Sequence, residues 1–169
     1  MKKFVIAAML ALSGSALAGP VYNLDWMNGT EPRSGSFAIG GQDNKVYVIE
    51  AWFNGCPYCH ENAPQVEALA ASLKANPNIV VVDLGRDRRD SDYASWISRH
   101  NPNHPVVRDG LGDSSLIKSL EVKLYPTTVV LDCNLVPKFR TEGEWQEGDQ
   151  AKIAEQALAI AAQPCQVAL

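Results

Sequence analysis

The 169-residue sequence contains no apolar run of the roughly 18 residues that a membrane-crossing helix needs. It has no basic excess: Lys and Arg number 15 against 19 Asp and Glu, a formal net charge of −4. That balance argues against a nucleic-acid binder, which shows a basic face. Cysteine is scarce too. Four cysteines are too few for a miniature scaffold held by disulfides alone, yet their number is even. No internal repeat is visible, and the only biased stretch is a Gly-, Asn-, Ser- and Pro-rich segment before residue 45. What is present is a globular composition, 46% hydrophobic and 20% charged, able to bury a core. The length favours one domain, alone or with a short appendage.

The first 18 residues read as an export label. Lys2 and Lys3 supply a positive start, Phe4 to Leu12 is apolar throughout, and the segment ends in Ala16-Leu17-Ala18, an A-x-A cleavage pattern. The apolar run is short for an uncleaved anchor, and no cysteine follows it to accept a lipid. Cleavage after Ala18 and export to a bacterial periplasm are expected, where disulfides form and persist. The expected organisation is a signal peptide over 1–18, a loop-rich leader over 19–35 and one domain over 36–169.

Within the domain, 36–39 and 45–53 read as strands, the second β-branched and aromatic as a buried strand is. Residues 57–75 carry Val66, Leu69, Ala70 and Leu73 at helical spacing, with Pro64 expected to kink the helix. A continuous apolar strand follows at 79–84, of the kind buried in parallel sheets. Then come a helix over 91–100, a short strand over 105–107 and a helix over 114–120 capped by Asp113. Strands at 127–132 and 135–140 and a helix over 149–162 close the chain. This alternation indicates a three-layer α/β domain.

Cys56-Pro57-Tyr58-Cys59 falls where a buried strand gives way to a helix. Free N–H groups and the helix dipole stabilise an anion there, which depresses a thiol pKa and favours the reactive thiolate. Pro57 suits the first helical turn, where its missing N–H is not needed. Two residues between the cysteines bring both sulfurs within bonding distance. Cys56, at the exposed edge, is expected to attack, and the deeper Cys59 to resolve the mixed disulfide. A closed zinc site needs four ligands, and no second CxxC is present. Glu50 shares a strand face with Val48 and Trp52. If buried, its carboxyl has a raised pKa and can exchange a proton with Cys59.

These residues resemble the thioredoxin superfamily over about residues 36–162. The match includes Trp52 four before the first cysteine, Pro64 five after the second, Glu50 six before the first, Tyr125-Pro126-Thr127 at a strand start, and Gly143 near the end of the last strand. The longer stretch between residues 85 and 125 looks like the βα insertion of the TlpA/ResA-like branch. The resemblance implies a thioredoxin fold, a cis peptide before Pro126, and no cofactor beyond the Cys56–Cys59 disulfide. It also implies a substrate surface of Tyr125, Pro126, Thr127, Trp52, Pro57 and Tyr58. Asn62 stands where the cytochrome c maturation subset of the branch has Glu.

Strand 127–132 and helix 149–162 run away from the Cys56 end, so Cys133 and Cys165 are expected at the opposite pole. Their pairing as a structural disulfide is favoured over the two other connectivities. His100 and His104 flank a Pro/Asn turn and read as surface residues. The runs 86–90 and 142–149 read as solvated loops. The expected activity is thiol–disulfide exchange with periplasmic protein thiols and disulfides, coupled to a membrane thiol–disulfide donor or acceptor, in the direction of a reductase. An oxidase or isomerase of the Dsb type, a metallochaperone and a redox-inert binding module remain as alternatives.

Overall fold

Residues 20–28, 36–40 and 44–165 are described in a computed structural model; the segment read as an export label lies outside them. The β-branched stretch Val46–Trp52 forms a strand buried along its whole length, because both its faces are covered. This strand, β3, lies at the middle of a seven-stranded sheet. Its neighbours are β1 (Val21–Trp26), β2 (Ser36–Gly40), β4 (Ile79–Gly85), β5 (Val106–Arg108), β6 (Thr127–Leu131) and β7 (Pro137–Glu142), in the order β2-β1-β5-β4-β3-β6-β7. The strands β3, β4 and β5 are parallel; β1 pairs antiparallel with β5 and β2, and β6 antiparallel with β3 and β7.

The pleat sends alternate side chains to opposite layers. Val46, Val48, Ile79 and Val81 pack under α1 (Pro57–Leu73) and α4 (Asp149–Ala161), against Val66, Leu69, Leu73, Ile153 and Ala157. Tyr47, Ile49, Val82 and Leu84 point the other way, onto Leu24, Ile39, Leu116 and Leu120. Leu116 opens the short α3 (Leu116–Ser119). The sheet thus has helices on both faces, the three-layer arrangement of a thioredoxin fold. Helix α2 (Asp90–His100), β5 and α3 form the βα insertion between β4 and β6.

Two local readings need correction. The stretch expected as a loop-rich leader carries β1, paired on both sides between β2 and β5. Tyr22, Leu24 and Trp26 alternate as a strand requires, and Leu24 is fully buried. The helix expected over 114–120 is a 3₁₀ turn at Gly112–Ser114 followed by α3, and its cap is Ser115 rather than Asp113. The Ser115 hydroxyl accepts from Lys118 N–H at 3.0 Å. The buried Asp109 carboxylate accepts from Leu116 and Ile117 N–H at 2.8 and 3.2 Å, which leaves nothing for Asp113 to cap.

Candidate active site

Helix α1 begins at the end of β3, and Cys56 is its N-cap residue with Pro57 in the first turn. Cys56 and Cys59 are joined by a disulfide, with Cα atoms 5.2 Å apart. The expected difference in exposure is absent, since Cys56 is 3% and Cys59 2% exposed. Their difference is one of position. The Cys59 N–H, one of the helix's orphan donors, points at Cys56 Sγ at 3.1 Å. That donor and the helix dipole lie ready for a thiolate on Cys56, not on Cys59. Around the pair pack Trp52, Ala63, Tyr93, Trp96 and Val106, with Phe53 and Tyr125 at the margin. Trp52 stacks on Trp96 at 3.9 Å between ring centroids. Gly85 admits the Tyr93 ring, which would lie 2.6 Å from any Cβ there.

The peptide bond Tyr125-Pro126 is cis. The Pro126 carbonyl accepts from Gly143 N–H at 2.8 Å. Gly143 has φ +85°, a conformation that favours glycine. Tyr125 meets Phe53 edge-on at 5.4 Å, and the Arg86 guanidinium lies over both rings, 5.3 Å from Phe53 and 5.1 Å from Tyr125. Tyr58 is 54% exposed and Leu124 57%. Thr127 is buried; its hydroxyl donates to Leu124 carbonyl oxygen at 2.8 Å and so braces the turn ahead of β6. Trp52, also buried, supports the sulfurs from below. Of the expected surface residues, Pro57 and Tyr58 are open to solvent and Tyr125 is half-buried, while Pro126, Thr127 and Trp52 are buried.

Glu50 lies on the face covered by α1. In register it stands opposite Asp83 of β4 on one side and Thr128 of β6 on the other. Its carboxyl accepts from the Asn62 amide at 3.2 Å and from the Thr128 hydroxyl. Thr128 in turn accepts from the Trp145 indole at 2.7 Å, and Asn62 Oδ1 accepts from Trp145 N–H at 2.9 Å. Burial pushes the Glu50 carboxyl up to about 8. The two hydrogen bonds oppose that shift, the nearby Asp83 adds to it, and His104 opposes it. Thr128 and Trp145 were not singled out from sequence, and Asn62 was noted only as a departure from a motif. The signal for Asn62 was its place one turn after Cys59 on the same helix face, with Val66 one turn further.

The histidines expected at the surface are inside polar contacts. His60 Nε2–H must donate to Asn54 carbonyl oxygen at 2.8 Å, since a carbonyl only accepts. His60 Nδ1 and His100 Nε2 share a hydrogen bond at 2.7 Å. Burial lowers the His100 pKa, and the neighbouring His60 and Arg99 lower it further. His104 is buried between two carboxylates. Its Nδ1 lies 3.0 Å from Glu67 Oε2 and its Nε2 3.2 Å from Asp83 Oδ1, the latter an ion-pair contact rather than a hydrogen bond. In the run 86–90, Arg88 donates to the carbonyls of Asp109 and Gly110 at 2.7 and 3.3 Å rather than standing free in solvent. Among the described residues, no group of three or more His, Cys, Asp or Glu is placed to hold a metal ion.

At the far end of the sheet, Cys133 and Cys165 form the second disulfide, with Cα atoms 6.0 Å apart. It ties the turn after β6 to the residues that follow α4.

The Redoxin family model matches residues 29–158, and the chain belongs to that family. Solved structures share the fold. A candidate thiol:disulfide interchange protein DsbE from Chlorobium tepidum superposes with TM-score 0.69 at 20% identity, over 86% of this chain and 96% of that one. A secreted disulfide oxidoreductase of Mycobacterium tuberculosis gives 0.60 at 19%, over 82% and 95%. The exposed lipoprotein thioredoxin of Streptococcus pneumoniae gives 0.65 at 17%, over 81% and 99%. Among curated proteins, none matches this sequence. Family and Cys56–Cys59 pair together define a thiol–disulfide oxidoreductase of thioredoxin type, whose redox group is the disulfide itself.

Proposed function

We propose that this chain is an exported thiol–disulfide reductase acting on periplasmic protein disulfides. The observation that carries the reading is the Cys56 sulfur at the N-cap of α1, facing a helix N–H, with Glu50 buried beneath the same helix. Cys56 thiolate attacks a client disulfide and releases one client sulfur as thiolate. Cys59 then loses its proton to Glu50 and attacks Cys56 Sγ, which frees the second client sulfur and closes the Cys56–Cys59 disulfide. Tyr125 and Pro126, with Tyr58 and Pro57 across the sulfurs, receive the extended client backbone. Residues 1–18 serve as the cleaved signal. Export accords with the secreted and surface-exposed proteins that share the fold. A membrane thiol–disulfide protein re-reduces the pair.

The direction rests on the insertion. It is an α2–β5–α3 unit, not the larger all-helical insertion expected of a DsbA-type oxidase. The experiment is insulin-disulfide reduction by the wild type and by Cys56→Ser and Cys59→Ser. Cys56→Ser is expected to be inactive. Cys59→Ser is expected to accumulate a mixed disulfide on Cys56 and to stop turning over. A fully active Cys56→Ser protein sinks the reading. The reduction potential decides direction: a value near ~−270 mV marks a reductase, and one near ~−120 to −180 mV moves the assignment to an oxidase or isomerase.

A further inference from the structure

The mechanism uses Glu50 but leaves unexplained the second buried carboxylate beside it. Asp83 occupies the in-register position on β4, so both side chains emerge on the same face of adjacent strands. Two carboxylates side by side in a buried layer do not both ionise readily. Asp83 is served by two partners that Glu50 lacks. The Trp96 indole donates to Asp83 Oδ2 at 3.1 Å, and His104 Nε2 faces Asp83 Oδ1 at 3.2 Å. The opposite edge of that imidazole meets Glu67 on α1, whose carboxylate also accepts from Asn103 backbone and side chain at 3.0 and 2.8 Å. An imidazole with a carboxylate at each nitrogen is a built holder for imidazolium.

We infer that His104 is a positioning residue for the resolving step: held as imidazolium between Glu67 and Asp83, it places a cation beside the buried carboxylate pair and tunes the proton affinity of Glu50. The inference rests on the reading that Glu50 takes the Cys59 proton. The groups around the pair and its histidine are Asn62 and Glu67 from α1, Thr128 from β6, Trp145 after β7, and Trp96 and His100 from α2; Cys59 stands one helical turn before Asn62. Helix α4 adds apolar side chains to this layer, with Ile153 and Ala157 fully buried. His104 is raised in pKa by Asp83 and then Glu67 against the cost of burial, which accords with the imidazolium form. Asp83 and His104 act on Glu50 with opposite sign, the first raising its pKa and the second lowering it.

That opposition supplies the test. Reduced protein is mixed with dithiobis(nitrobenzoate). Cys56 thiolate takes one nitrothiobenzoate and releases the other. Cys59 then attacks Cys56 Sγ, its proton passing to Glu50, and expels the second coloured thiolate. The rate of that second release is followed against pH. His104→Gln removes a cation and is expected to move the limb up by about one pH unit, slowing release about five-fold or more at neutral pH. Asp83→Asn removes an anion and is expected to move it down. Glu67→Gln, at a half-exposed site, moves it in the His104 direction by less, and gives the answer if His104→Gln does not fold. In a Glu50→Gln background, where the wild-type limb is lost, none of these shifts should survive.

A merely structural role slows release in every variant and leaves the limb in place, or moves it one way only. With the Glu50→Gln effect present, that result overturns this inference alone. A Glu50→Gln profile identical to wild type overturns the reading of Glu50, and this inference with it.

Discussion

The two ends of the sheet each carry a disulfide, and they are built for different work. At one pole the Cys56–Cys59 bond closes a ring across three residues, sits at a helix N-cap, and lies over buried polar groups: Glu50, Asn62, Thr128 and Trp145. At the other pole Cys133–Cys165 spans 32 residues and joins a hairpin turn to the end of a helix, and neither cysteine begins a helix among the described residues. A short ring restricts the unfolded chain little, so breaking it leaves the fold in place. A long ring restricts it much, so that bond serves the fold. The pole that must open and close is the one whose stability depends least on the bond.

The largest expected break of this comparison is at the far pole. Cys133→Ser with Cys165→Ser should cost about 3–4 kcal/mol in denaturant unfolding while insulin reduction changes little. A large activity loss in the folded double variant would mean that the two poles are coupled. Next comes Glu50. Its folded pKa, about 8, lies above the ordinary 4.5, so the unfolded chain releases this proton first as pH rises. Stability from this group is therefore full below pH 4.5 and falls through the window up to about 8. Between pH 4.5 and neutral pH, Glu50→Gln should remove about 3 kcal/mol of that decline, seen as a flatter plot of unfolding free energy against pH. The smallest effect is expected from the working bond itself. Reducing Cys56–Cys59 in the Cys133–Cys165-intact protein should cost about 2 kcal/mol or less, read from the shift in denaturant midpoint between the two redox states. A larger loss would show that the active pole also staples the fold.

Much of this was legible in the chain because the decisive signals are local. The run KVYVIEAWF announces a buried strand, and Cys-Pro-Tyr-Cys announces a helix start. Glu50 falls on the inner face by simple alternation. The shared pole of Cys133 and Cys165 followed from strand direction. Two kinds of feature stayed hidden. Strand β1 was masked by its composition: Asn23 and Asp25 are exposed, and only Leu24 is fully buried, so the period-two pattern of Tyr22, Leu24 and Trp26 was diluted. The support of Glu50 and Asp83 was hidden by distance. His104 meets Glu67 and Asp83 from 37 and 21 positions away, and a lone histidine beside a proline gives no hint of the carboxylates that the fold delivers to it. Asn62 looked like a departure from a motif, yet its amide and carbonyl connect Glu50 with Trp145, a pairing that only the sheet's register creates.

The Trp52–Trp96 stack has an optical consequence. Both indoles belong to the same buried cluster as the two sulfurs, and a disulfide quenches indole emission at close range. The emission of these two rings therefore follows the oxidation state of the bond they pack against, and the molecule reports its own redox cycle in light, with no dye attached.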